Sequence, residues 1–183
     1  MRLFYGIEIS EDVKEWMASL TRELQRRGVS AANWSAPSLM HVTVVFLGEV
    51  PEQRMDDFSS PAKAVADMQS PFQLTLDHVG LFGGSRVLWV GFTEDAGYRE
   101  LQSLCLELSH ALRDTTGFVP DARPFRPHVT LARKLDMKSS PIVGEFSLNG
   151  SKQIPVRDLC LFESTRVNGQ LVYPVRSRFG FEK

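Results

Sequence analysis

The sequence predicts an α+β fold, with mainly antiparallel sheets arranged as two pseudo-symmetric lobes. Three observations carry this. Strands and helices do not alternate one for one, which disfavours a doubly wound parallel sheet. The tail beyond residue 144 is strand-rich and contains Asn168-Gly169, a strong hairpin signal. The tripeptide His-Val-Thr occurs twice in apolar runs, HVTVVFLG at 41–48 and HVTLARKL at 128–135, each time after a long helix and a turn. A duplicated half-domain is the economical account of that repeat.

Residues 2–9 read as a strand with Leu3, Tyr5 and Ile7 on one face. Ser10, Glu11 and Asp12 supply an N-cap and an acidic first turn for a helix over 11–27, which stops at Gly28. A short strand near Asn33-Trp34 and a turn at Pro37 lead to a strand over 40–47. Pro51 opens a helix over 52–68. Strands over 72–80 and 86–92 are joined through Phe82-Gly83-Gly84 as a hairpin. The longest helix, near 96–114, repeats Leu101, Leu104, Cys105, Leu108 and Leu112 at helical spacing. The proline-rich entry RPFRP then introduces a strand over 128–134. Strands over 144–149, 154–162 and 171–179 complete the series, the last two joined through Asn168-Gly169.

The 183 residues have the length of one domain, taken as 1–183, and 43% hydrophobic content with 12 Phe suffices for a packed interior. A net charge of −1 excludes a global basic field, so a nucleic-acid ligand would need a local basic cleft. Cys105 and Cys160 lie in unrelated apolar contexts with no CxxC, which reads as two buried thiols in a reducing compartment. With no signal-peptide pattern and no apolar run long enough to span a membrane, the expectation is a soluble, cytoplasmic protein. The absence of an exposed heptad makes a monomer without an obligatory protein partner the default.

In a strand, residues two apart share a face. His41 and Thr43 therefore point one way and Val42 and Val44 the other; His128 and Thr130 stand likewise against Val129 and Leu131. Two such pairs face to face present two imidazoles and two hydroxyls. A phosphate between them can accept a hydrogen bond from each threonine, while one histidine is neutral and the other protonated. In-line displacement at phosphorus needs such a base and acid, and the imidazolium and hydroxyls supply charge stabilisation without a metal or other cofactor. A single His-x-Thr is more often a satisfied core histidine; two among four histidines, each in an apolar strand, point to a site.

The chain resembles the 2H phosphoesterases, in particular the bacterial RNA 2′,3′-cyclic phosphodiesterases, also called 2′-5′ RNA ligases. The resemblance rests on WSAPSLMHVTVVFLG (34–48), VGLFGGSRVLWVGF (79–92), RPFRPHVTLAR (123–133), LCLFES (159–164) and the tail GQLVYPVRSRFGF. It implies a bilobal fold with helices outside and a central cleft, and a phosphodiesterase independent of ATP and metal. It further implies His41 as proton donor to the departing 3′ oxygen, His128 as proton acceptor activating water, and RNA ends carrying a 2′,3′-cyclic phosphate as partner. Run backwards with a 5′-hydroxyl, the same chemistry joins RNA ends through a 2′-5′ linkage. The residues alone do not orient acid against base.

Substrate-binding candidates follow from position. Phe46 and Arg133 both stand five residues after their histidine, one suited to stacking a base and the other to a phosphate. A regular strand turns an odd offset away from the histidine face, so both need a twist or bulge to reach it. Phe46 has a core aromatic as its alternative, whereas a core-facing arginine is costly. Arg126 joins the histidine side if the strand extends back through Pro127. Arg123 and Lys134 have the ordinary explanation of solvated surface. Tyr5 is left between cleft and core, and structural roles are expected of His78, as a strand cap, and of His110. Two alternatives accompany the leading function: a cyclic phosphodiesterase on a small nucleotide such as an ADP-ribose cyclic phosphate, and a non-catalytic nucleotide- or RNA-binding module.

Overall fold

The computed structural model describes all 183 residues. In chain order the elements are β1 (Arg2–Glu8), α1 (Glu11–Arg26), β2 (Ala31–Trp34), β3 (His41–Glu49), α2 (Met55–Asp67), β4 (Phe72–Phe82), β5 (Val87–Phe92), α3 (Ala96–Thr116), β6 (Val129–Leu135), α4 (Ser140–Glu145), β7 (Lys152–Val156), β8 (Asp158–Glu163), β9 (Thr165–Val167), β10 (Gln170–Val172) and β11 (Val175–Gly180). All strand pairings are antiparallel. They build one sheet in the order β11-β8-β1-β3, a second in the order β2-β6-β5-β4-β7, and a separate ribbon of β9 and β10.

The two sheets are related internally. The run β8-β1-β3 corresponds to β4-β5-β6, which puts the two His-Val-Thr strands in equivalent places. The lobes are not the two halves of the chain, however. β2 leaves the first half to edge the second sheet beside β6, and β8 and β11 return from the C-terminus to extend the first sheet beside β1. A core of 37 buried residues runs through both sheets and ties them together.

Local chemistry accounts for the main elements. α1 buries Val13, Met17, Leu20 and Leu24, and α3 buries Leu101, Leu104, Leu108 and Leu112, each set at helical spacing on one side. Asp95 caps α3 by accepting the Tyr98 N–H at 3.1 Å, and Gly117, at φ 74°, closes it. Ser10 does stand at the start of α1, but its hydroxyl donates to the Asp12 carboxylate, not accepting a backbone N–H. Tyr5, left open by the sequence, is fully buried and donates its hydroxyl to the Phe58 carbonyl, so it belongs to the core.

Three expectations about the tail are corrected. The strand over 144–149 is absent: α4 occupies Ser140–Glu145, entered through Pro141, and Val143 and Phe146 are buried three residues apart. The strand over 154–162 is broken at Arg157, because β7 belongs to one sheet and β8 to the other. The strand over 171–179 breaks at Tyr173-Pro174, since Pro174 has no N–H to give; its carbonyl accepts from Glu163 N–H at 3.0 Å. Asn168 and Gly169 form the expected turn, both at positive φ (51° and 79°), but between β9 and β10.

Candidate active site

The two His-Val-Thr strands share a device that alternation alone does not give. In β3, Gly6 of β1 faces Thr43 and Tyr5 faces Val45, so Val44 is an extra residue. In β6, Trp89 of β5 faces Thr130 and Leu88 faces Ala132, so Leu131 is extra. Both are β-bulges at the third position after the histidine, and Val44, Val45, Leu131 and Ala132 are all buried. The extra residue changes the phase of the strand and returns the fifth position to the histidine face. Phe46 and Arg133 are both exposed as a result. At 47% exposure Phe46 is no core aromatic, and the guanidinium of Arg2 lies over its ring at 5.1 Å.

Each bulge frees a carbonyl that must find a donor. The Leu131 carbonyl accepts from Ser35 N–H at 2.8 Å, on the segment following β2. β3 is a sheet edge with no such neighbour, and there the Cys105 thiol of α3 donates to the Val44 carbonyl at 3.2 Å. Cys160 is buried as expected, whereas Cys105 is only half-buried and lies against the site. Burial pushes the Cys105 thiol up to about 11, which leaves it an inert donor at neutral pH.

The histidines are oriented in the same way. His41 Nδ1 donates to the Leu39 carbonyl and His128 Nδ1 to the Arg126 carbonyl, both two residues upstream and both at 2.7 Å. Fixing the proton on Nδ1 leaves each Nε2 with its lone pair. His41 Nε2 accepts from the Thr43 hydroxyl at 3.0 Å. Burial among Phe4, Phe162 and Tyr173 pushes the His41 pKa down to about 4, against the opposing pull of the Leu39 carbonyl. The charges of His128 and Arg133 lower it further, which places all three groups within electrostatic reach of one another. His128 is lowered too, again chiefly by burial, with the Arg133 guanidinium contributing. Phe82 meets its ring edge-on at 5.0 Å and Trp89 lies at 6.3 Å.

A cavity of about 480 Å³ opens where these elements meet, a volume suited to a small ligand. Thr43, Phe46, Arg126 and His128 line it, with Phe82 and Cys105, whereas His41, Thr130 and Arg133 do not. Arg126 reaches it by a different route from the one expected. β6 begins at Val129, so Arg126 belongs to the irregular segment before it; its carbonyl holds His128 while its side chain borders the cavity. Arg123 also borders the cavity but is paired with Asp121. Thr130 is half-buried opposite Trp89. With Arg123 paired to Asp121, Arg126 is the one arginine on the cavity wall without a carboxylate partner.

The sequence reading missed the aromatic walls, Phe4, Phe162 and Tyr173 around His41 and Phe82 and Trp89 around His128. The pairing of Phe82 with Val87 puts Phe82 and Trp89 on one face, and the sheet order shows which histidine they accompany.

The description 2′-5′ RNA ligase superfamily belongs to the family profile that matches residues 9–168. An RNA 2′,3′-cyclic phosphodiesterase from Archaeoglobus fulgidus is 30% identical over 169 residues, 90% of this chain and 91% of the relative. One from Geobacillus stearothermophilus is 31% identical over 134 residues, 72% of this chain, and the match spans 41% of that relative's length. Among solved structures, Escherichia coli LigT complexed with 3′-AMP superposes with a TM-score of 0.80 at 25% identity, covering all of this chain and 98% of that one.

Proposed function

The chain belongs to the 2′-5′ RNA ligase superfamily, and from that membership we propose that it is an RNA 2′,3′-cyclic phosphodiesterase, opening a terminal cyclic phosphate to a 2′-phosphate. The observation that carries this reading is the pair of equivalently oriented imidazoles, His41 and His128, each with Nδ1 held by the carbonyl two residues upstream. A lone binding module has no need of two titratable groups held alike.

In this reading the free site rests with its histidines neutral. The cyclic phosphate brings a negative charge that faces Arg133 and offsets the repulsion holding protons off the imidazoles. His41 then carries the proton. His128 Nε2 takes a proton from water as the oxygen attacks phosphorus, and His41 gives its own to the departing 3′ oxygen. Thr43 and Thr130 donate to the phosphate oxygens, Arg133 neutralises charge that builds on them, Arg126 holds a flanking phosphate at the cavity rim, and Phe46 stacks the terminal base. Nothing in the sequence of steps calls for a metal.

The test is incubation with a short RNA ending in 2′,3′-cyclic phosphate in the presence of EDTA. The expected product carries a 2′-phosphate. An intact cyclic end, or a 3′-phosphate product, overturns the reading.

A further inference from the structure

His78 does not cap a strand. It stands within β4, half exposed, on the same sheet face as His128. Register explains the juxtaposition: Val90 of β5 faces Val129, so Gly91 lies level with His128, and Gly91 faces His78 on the next strand. Gly91, with no side chain, lets neighbouring rings close over its backbone. A Cβ there would sit 2.6 Å from His78 Nε2 and 2.7 Å from the Trp89 ring, so two rings share the room above the glycine. Trp89 meets His78 edge-on at 5.6 Å and His128 at 6.3 Å, giving a continuous row of His128, Trp89 and His78. Neither Trp89 nor His78 lines the cavity that holds Phe46.

The row is oriented by its surroundings. A bulge at Asp77 turns that carboxylate toward His78 Nδ1, which donates to one oxygen, while the Thr93 hydroxyl donates to the other at 2.7 Å. In the neutral imidazole, the nitrogen left to accept is then Nε2. The indole N–H of Trp89 is buried with no hydrogen-bond partner in the protein. A flat indole beside a fixed acceptor suits a nucleoside, with the base against the ring and a ribose hydroxyl on the imidazole.

We propose that Trp89 and His78 seat a second nucleoside, whose 5′-hydroxyl takes the place of water beside His128. The inference rests on the function proposed above. In-line displacement puts the entering oxygen opposite the leaving one, hence on the side of the base. The 5′ oxygen bonds to phosphorus and the P–O3′ bond breaks. His128 receives the proton of the 5′-hydroxyl, and His41 gives its proton to O3′. The product is a 2′-5′ phosphodiester beside a free 3′-hydroxyl, with no further reactant.

The experiment supplies cytidine 2′,3′-cyclic phosphate, which has no upstream nucleotide, together with a short 5′-hydroxyl RNA, and measures 2′-5′-linked product against hydrolysed 2′-phosphate. The parent is expected to form both. His78→Ala, a half-exposed change, is expected to lower the ratio of linked to hydrolysed product about 5–10-fold, with hydrolysis itself unchanged. An unaltered ratio overturns the inference, as does a parent that hydrolyses the cyclic phosphate but forms no linked product, or a variant in which both products fall together. A parent that leaves the cyclic phosphate intact counts instead against the phosphodiesterase reading.

Discussion

Alanine at His41 or at His128 is expected to lower turnover of the cyclic phosphate by about 10²–10⁴-fold, and alanine at both to cost little more than either alone. The reasoning is that the two imidazoles serve one displacement. Removing the acid leaves the 3′ oxygen to depart unprotonated, and removing the base leaves water unactivated; once one is gone the other has little left to assist. Neither change should disturb the fold, since both side chains lie on the face opposite Val42 and Val129, which are fully buried. Single-turnover rates of the three variants check this. Losses that multiply in the double variant would mean two independent contributions.

Arg133→Ala is expected to act twice. Loss of a charge-assisted contact to phosphate costs about 1.5–3 kcal/mol, an increase of about 10- to 150-fold in KM. The guanidinium also holds protons off both histidines. Its removal raises both pKa values, so the bell-shaped profile of kcat/KM moves as a whole to higher pH. Arg133→Lys keeps the charge but not the planar fork, so it should keep the profile in place while still raising KM. A profile that stays put in the alanine variant would remove Arg133 from the electrostatics of the site.

Much of this arrangement was legible in the letters. The duplicated His-Val-Thr, read with strand alternation, put His41 with Thr43 and His128 with Thr130 on one face each, and Val42 and Val129 in the core behind them. The fate of Phe46 and Arg133 was not legible, because a single extra residue in each strand decides it, and a bulge is set by pairing with β1 and β5, not by the strand's own sequence. The exchange of β2, β8 and β11 between lobes was equally hidden. Tertiary pairing decides which sheet a strand joins, and local pattern reports only that it is a strand. The missed helix α4 has a different cause: a short apolar run fits a strand or a buried helical turn equally well, and burial of Val143 and Phe146 settled it.

The claim on which the account turns is that one phosphate sits between both imidazoles. Titrating the histidine ring protons by NMR, with and without a 2′-nucleotide, addresses it directly. In the free protein His41 should titrate at about 4, held down by burial and by the charges of His128 and Arg133. An anion seated between the rings favours the protonated form of each, so the bound nucleotide should move the pKa of His41 and that of His128 upward together. A response from one histidine alone, with the other unmoved, would place the phosphate at a single motif and contradict the shared site.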